Sequence, residues 1–358
     1  MKKSLRRWVW MAASAIVLVL IFYNLSRSTE WREFSWERLS LLLSQARPGW
    51  LLPALGATYS TYLVRAYRWK FFLDPIKKAS LWVLFVGQVL GFSSIYLIGR
   101  LGEFVRPAYI ARKENVPFSS MMAVWLLERI YDTFFMVVLF ATALGFASLN
   151  PTTGRGALVL NAMQRGSRWM LVVMGLIVVV LVVFRLRAEE LTARISGWFS
   201  FLPGCGPQYL GKFLRSFSDG LEVIRNWKGV LATLLCSAVL WALNASVFWL
   251  VLQSLGGGLE RLSWLAAGLV LFCAAVALVW QVPVIGGGFQ VGAILVLREL
   301  FGVGVEAATS AAILIWIMIS VPCLALGAAL LAYEGLTFKK LEAIAEEERA
   351  ATEEKASR

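Results

Sequence analysis

The sequence predicts an all-α polytopic membrane protein. It reads as about six full spans plus two oppositely oriented re-entrant helical hairpins, in an inverted-repeat architecture with interfacial amphipathic helices. Three observations carry this. Of 358 residues, 59% are hydrophobic and 16% charged, with a mean hydropathy of +0.70. A soluble domain is about 45–50% apolar, and so few charges would leave most of a globule's surface bare. The basic residues gather between apolar runs, 35 Lys+Arg against 22 Asp+Glu, for a net charge of +13. Finally, counting crossings leaves two apolar segments that must return to the face they came from.

The first apolar run, residues 8–24, follows Lys2, Lys3, Arg6 and Arg7. It lacks a small-residue cleavage site and reads as a retained span rather than a signal peptide. Residues 30–47 set Trp31, Phe34, Leu39, Leu42 and Leu43 between charges, the pattern of a short interfacial helix. A second span covers Pro48 to Val64 and ends in the basic cluster Arg65, Arg68, Lys70, Lys77 and Lys78. Ala79 to Ile98 is apolar and runs into Gly99, Arg100, Gly102, Glu103, Arg106 and Pro107. A long helix from Ser119 to Ala147, a polar loop and a span from Trp169 to Phe184 follow. The basic segment Arg185 to Lys228 contains apolar residues at helical spacing from Leu210 to Ile224, an amphipathic surface helix. Spans at Gly229–Leu255 and Ser263–Val282 lead to Gly286, Gly287, Gly288 and Gln290. A short apolar piece to Phe301 and a last helix from Ala308 to Tyr333 complete the membrane part.

The positive-inside rule places the N-terminus, the Arg65–Lys78 and Arg185–Lys228 segments and Lys339/Lys340 in the cytoplasm. Residues 79–112 then enter and leave from the cytoplasmic side, and residues 263–301 from the outer side. Their second limbs fall short of the 20 or so apolar residues a crossing needs, so both read as hairpins broken at glycines. Opposed broken elements in two halves are a mark of inverted-repeat transporters. The expected organisation is one transmembrane domain, residues 1–340, with halves at about 48–150 and 229–335 and the first span extra. Residues 341–358 form an acidic cytosolic tail; removing its −3 leaves +16 on the body.

Several chemistries are excluded. The chain has no histidine, so His-based acid/base catalysis and His metal sites are absent. Cys205, Cys236, Cys273 and Cys323 are scattered, without a C-x-x-C pair, and read as packing residues. No P-loop or Rossmann glycine pattern occurs. No cofactor, metal site or nucleic-acid partner is expected.

What remains is a short list of charges at membrane depth. Arg100, Glu103 and Arg106 are three apart and on a helix would form one stripe, either a structural Arg–Glu–Arg clasp or an anion site. Gly99 and Gly102 free the backbone there. Glu128 and Asp132 share a face of the long helix, with Arg129 about 100° away. Two such carboxylates want cationic partners, and Arg100, Arg106 and Arg129 are the candidates. Arg65 and Arg68, at the end of the second span, read first as snorkelling interface residues and second as phosphate ligands. Gly286, Gly287, Gly288 and Gln290 form the second hairpin tip, where exposed N–H groups suit an anion.

In this order the motifs Arg65-x-x-Arg68-Trp69, Gly99-Arg100-Leu101-Gly102-Glu103-x-x-Arg106-Pro107, Glu128-Arg129-x-x-Asp132 and Gly286–Gln290 resemble one family. It is the lysylphosphatidylglycerol synthase transmembrane-region family of flippase-like membrane proteins, over about residues 10–335. Two places depart from its pattern: Ile98 stands where many members have proline, and Gln290 and Gly292 stand near a missing acid. The resemblance implies a bacterial inner-membrane protein related to the part that moves aminoacylated phosphatidylglycerol between leaflets. No soluble aminoacyl-transferase domain follows within the 358 residues, so synthase activity is not expected.

The resulting expectation is a lipid translocase rather than an enzyme. An anionic headgroup would enter a polar cavity between the two hairpins, with Arg100, Arg106 and Arg129 on its phosphate and Glu103, Glu128 and Asp132 as counter-charges. Membrane lipids are the expected partners, and a homo-oligomer is compatible with the sequence. The alternatives are an integral-membrane enzyme on lipid phosphates or lipid-linked sugars, and a membrane subunit of a partner enzyme.

Overall fold

The computed structural model describes residues 35–149, 151, 154–186, 227–282 and 286–335. The expected first span, most of the basic surface segment and the acidic tail lie outside these. Ten α-helices occur among the described residues. They are α1 (Trp36–Ser44), α2 (Pro48–Leu73), α3 (Leu81–Ile98), α4 (Val105–Glu114), α5 (Phe118–Phe146), α6 (Gly154–Leu186), α7 (Trp227–Ser254), α8 (Trp264–Ala277), α9 (Gly288–Phe301) and α10 (Val305–Tyr333). A 3₁₀ turn, Gly99–Phe104, joins α3 to α4. Between α8 and α9 a two-residue antiparallel bridge pairs Gln281 with Gly287 and Val282 with Gly286.

The chain is an integral membrane protein. Helices α3, α7 and α10 are long and apolar enough to cross a bilayer, with mean hydropathies of 1.9, 2.0 and 2.4. Leu126, Val138, Leu171, Val172, Val173, Leu235, Val239, Ile317 and Val321 are exposed, a distribution that water would not tolerate and lipid covers. Helix α1 is the expected interfacial piece: Ser35 caps it by accepting from the Arg38 amide at 3.3 Å, Leu39 is buried, and Trp36 stands outside.

Three boundaries differ from the sequence reading, and one matters. The second span does not stop at Val64; α2 continues to Leu73 because Trp69, Phe72 and Leu73 are fully buried and draw the basic turn into the core. The polar loop expected after α5 is short, since α6 is helical from Gly154. The span expected over Ser263–Val282 is α-helical only over Trp264–Ala277.

Both glycine-broken segments fold back on themselves. In the first, Gly91 of α3 lies against Arg106 of α4, where an added Cβ would come within 2.7 Å of the arginine Cβ. In the second, Gly292 of α9 lies against the Cys273 carbonyl of α8, at 2.6 Å from the same added atom. Contact this close needs glycine. At 10 residues α4 is about 15 Å long, too short to cross a bilayer.

The helices pack in matching sets. α2 runs antiparallel to α7, with the Arg47 amide donating to the Ser254 carbonyl at 2.9 Å at one end and Arg68 reaching Ser237 towards the other. α3 packs on α10, and α8 on α5. Helices α5 and α10 have 29 residues each. The ring of Phe140, 22 residues into α5, stacks on Phe272, five before the end of α8, with centroids 3.7 Å apart. Gly327, 22 residues into α10, touches Ser93, five before the end of α3. Two apolar cores result: one on α7–α10 reaching Phe140 and Leu144 of α5, the other on α2–α5 reaching Leu330 and Leu331 of α10.

Gly91→Val should lower stability by about 1–3 kcal/mol through overpacking, read as a lower unfolding temperature in detergent. Gly56→Ala, where an added Cβ meets nothing within 4 Å, should leave stability unchanged or raise it by up to about 1 kcal/mol.

Candidate functional site

The charges predicted for membrane depth converge on one carboxylate. Glu128 lies ten residues into α5, about 15 Å from its start, and is completely buried. Arg68 of α2, also completely buried, donates through Nη2 to Glu128 Oε1 at 2.6 Å and through Nη1 to Asp132 Oδ1 at 2.7 Å. One guanidinium thus bridges two carboxylates a helical turn apart, as its planar fork allows. Its Nη1 also donates to Ser237 Oγ of α7 at 3.1 Å.

Arg106 of α4 approaches from the hairpin. It donates from Nη1 to Glu128 Oε1 at 3.3 Å, pairs with Oε2 through Nη2, and donates to Gln88 Oε1 of α3 at 2.6 Å. Its guanidinium lies over the Trp69 ring, 4.6 Å from the centroid, a favourable cation–π distance. Arg65 is 3.9 Å from both Glu128 and Asp132 and lies 4.6 Å over the Phe92 ring. Arg129 is 3.6 Å from Glu128 and 3.4 Å from Asp132, and its side chain is 38% exposed. Four arginines therefore surround two acids, leaving a formal +2. Isolated buried charges cost several kcal/mol each, so this arrangement persists only through mutual pairing.

Beside the arginines a narrow cleft, with a cavity volume of about 10 Å³, is lined by Gly91, Phe92, Ile95, Glu103, Arg106, Trp125 and Arg129. It lies between the first hairpin and α5, not between the two hairpins. Arg129 flanks an outer stripe of α5 that carries the exposed Leu126 and Thr133, so the charged cleft borders the lipid-facing surface.

The structure redistributes the residues expected to form the site. Glu128, Arg129, Asp132 and Arg106 come together as the spacing implied. Arg65 and Arg68 are not snorkelling; the longer α2 carries them inward, and Arg68 bridges both acids while Arg106 pairs closely with Glu128. Of the Arg100, Glu103, Arg106 stripe, the first two lie in the 3₁₀ turn and the third in α4, and Glu103 and Arg106 line the same cleft. Among the described residues Arg106 pairs with Glu128 and no ion pair joins it to Glu103. Arg100 lies in that turn; its side chain is outside the described atoms. Gly99, with φ +70°, starts the turn, and at Gly102 a Cβ would clash with the backbone of Ser94 and Ile95.

At the second tip, Gly286 and Gly287 form the short bridge and Gly288 and Gln290 open α9. None of the four lines the arginine cleft. Sequence reasoning gave no site role to Gln88 or Ser237 and quoted Trp69 only within a motif. The signal for the first two was a polar side chain in a largely apolar helix that carries several others.

Comparison with known proteins agrees with the sequence resemblance. The family described as the lysylphosphatidylglycerol synthase TM region matches residues 10–327, and the chain belongs to that family. No curated protein matches it.

Replacing Arg68 by Met removes the one guanidinium that donates to both Glu128 and Asp132 and should cost about 3–5 kcal/mol. Arg129→Met, at a half-exposed site with longer contacts, should cost no more than about 1 kcal/mol. Unfolding monitored through tryptophan fluorescence measures both; a larger loss for Arg129→Met would contradict the assignment of Arg68 as the central pair.

Proposed function

We propose that this protein is a lipid translocase that carries an anionic phospholipid or lipid-phosphate headgroup across the bacterial inner membrane. Membership of the lysylphosphatidylglycerol synthase TM family supports a function on membrane lipids. The observation that carries the finer reading is the ion-paired cluster with its formal +2, bordering a cleft on the lipid-facing flank of α5. A protein that held these charges only for stability would balance them.

In this reading Arg106 and Arg129 face the headgroup phosphate, with Arg100 placed in the adjoining turn. Arg65 and Arg68 hold Glu128 and Asp132 in place, and Glu103 lines the cleft as a further counter-charge. When a phosphate docks, Arg106 and Arg129 exchange part of their pairing with Glu128 and Asp132 for the phosphate oxygens. The acids regain the arginines as the lipid leaves. The charge therefore never becomes unpaired at membrane depth.

The two helical hairpins are the moving parts in this account, each re-entrant and entering from opposite faces. Antiparallel α2 and α7, and the matched positions of Phe140/Phe272 and Gly327/Ser93, support an inverted repeat with halves from α2 and α7 onward. The positive-inside rule puts both termini in the cytoplasm. The enzyme alternative is less favoured: Glu128 and Asp132 are each engaged by arginines, which leaves neither carboxylate available as a general base.

A fluorescent-lipid flipping assay in proteoliposomes tests the reading. Arg106→Ala and Arg129→Gln should each slow translocation of an anionic lipid by about tenfold or more, as expected for losing one charge-assisted hydrogen bond. Folding of each variant is checked by its unfolding transition. Unchanged transport in both folded variants would overturn the proposal.

A further inference from the structure

Arg68 and Arg106 hold Glu128 differently, and one neutral side chain makes the difference. Arg68 places both ends of its guanidinium on acids, Nη2 on Glu128 Oε1 at 2.6 Å and Nη1 on Asp132 Oδ1 at 2.7 Å. Arg106 places only one end firmly on an acid. Its Nη2 pairs with Glu128 Oε2, whereas its Nη1 lies 2.6 Å from Gln88 Oε1 and 3.3 Å from Glu128 Oε1. The nearer acceptor of Nη1 is therefore an amide, and Glu128 Oε1 is left to Arg68.

Helix α3 receives Arg106 along one face, since Gln88, Gly91, Phe92 and Ile95 are spaced i, i+3, i+4 and i+7. Gly91 makes room for the arginine stem, Gln88 takes the guanidinium, and the Phe92 ring centroid lies 5.9 Å from it. Gln88 is completely buried. Arginine only donates, so the amide oxygen has to face it. The amide NH₂ is then left with no partner among the described residues. A buried donor without an acceptor is destabilising, so packing alone would favour an apolar residue here. Tightest hold on Arg106 would favour glutamate, which adds a charge and leaves no donor unpaired. Glutamine holds one end of Arg106 without an ion pair, and a bond to a neutral acceptor is the weaker kind. Arg106 lines the cleft, and Arg68 does not.

We infer that Gln88 is a positioning residue for the translocase proposed above, on which this inference rests. It keeps one end of Arg106 off the acids, so that this arginine turns to a lipid anion without breaking an ion pair at that end.

The test compares the full-length protein with Gln88→Met and Gln88→Glu. Retention of phosphatidylglycerol is measured by mass spectrometry after repurification from phosphatidylcholine nanodiscs doped with it. Translocation of the same lipid is followed in proteoliposomes, and folding through the unfolding temperature. Methionine keeps the length and the charge balance but offers no oxygen, so Arg106 falls wholly onto Glu128. Retention and translocation should then drop by about tenfold, the equivalent of one charge-assisted hydrogen bond. Gln88→Glu should give at least the same drop without lowering the unfolding temperature, because Nη1 is then held by a second ion pair. In an Arg106→Ala background Gln88→Met should bring no further loss, since Gln88 acts only through that arginine.

A merely structural role predicts otherwise: lipid retention follows stability, and Gln88→Met adds its own loss to that of Arg106→Ala. Unchanged retention in folded Gln88→Met, or an equal further loss in the Arg106→Ala background, would overturn the inference. Where Gln88→Met does not fold, unchanged retention in Gln88→Glu overturns it. The two claims separate cleanly. The expected retention pattern without translocation by the unaltered protein defeats the translocase reading alone. Translocation slowed by Arg106→Ala but not by Gln88→Met defeats only the role of Gln88, and no retention by the unaltered protein defeats both.

Discussion

The bridge from Arg68 to Glu128 and Asp132 is the constraint around which the first half of the molecule is arranged. It ties α2 to α5 at 2.6 and 2.7 Å, and the same guanidinium reaches Ser237 of α7. Arg106 brings the hairpin to the same carboxylate, and Gly91 is what lets α4 come close enough to do so. In a bilayer interior these charges have no water to retreat to. Each helix that carries one is therefore held where its partner is, and four helices share a single electrostatic anchor. The aromatic rings of Trp69 and Phe92 complete the enclosure by taking the faces of Arg106 and Arg65.

The other half of the molecule gives this anchor its meaning. Counting from the first residues of α5 and α10, the positions of Glu128, Arg129 and Asp132 correspond to Ile315, Trp316 and Ile319. The position of Arg106, second in α4, corresponds to Phe289, second in α9. There the structure has an aromatic cluster, with Phe289 5.2 Å from Trp316 and 5.9 Å from Phe248. Under the proposed inverted repeat, one half holds a charged site and the other an apolar one. Packing alone is served by the apolar version, so retaining six charged groups in one half calls for a role beyond holding helices together.

Much of this was legible in the sequence, for identifiable reasons. The hairpins announced themselves through glycines flanking short apolar limbs, and Glu128, Asp132 and Arg106 through the cost of a charge in hydrocarbon. The family was legible in the ordered motifs from Arg65 to Gln290. Arg68 was misplaced because a basic cluster ending an apolar run looks like an interface. Only the burial of Trp69, Phe72 and Leu73 on neighbouring helices continues α2 past it. The Arg100–Glu103–Arg106 spacing shows which residues share a face but not their partners: Arg106 pairs with Glu128, and Glu103 lines the same cleft as Arg106. Gln88 and Ser237 were missed since each is one of several polar residues in an apolar helix, and none shows its face or its partner until the helices are packed.

The central claim is that this arginine-rich cluster is a lipid-anion site and not only a structural anchor. The most direct measurement is mass spectrometry of the lipids that stay with the protein purified from its native membrane, set against a folded Arg106→Ala/Arg129→Gln double variant. The account predicts an anionic phosphate-bearing lipid held at about one copy by the unaltered protein and lost from the variant. The same lipids at the same stoichiometry in both proteins would contradict it.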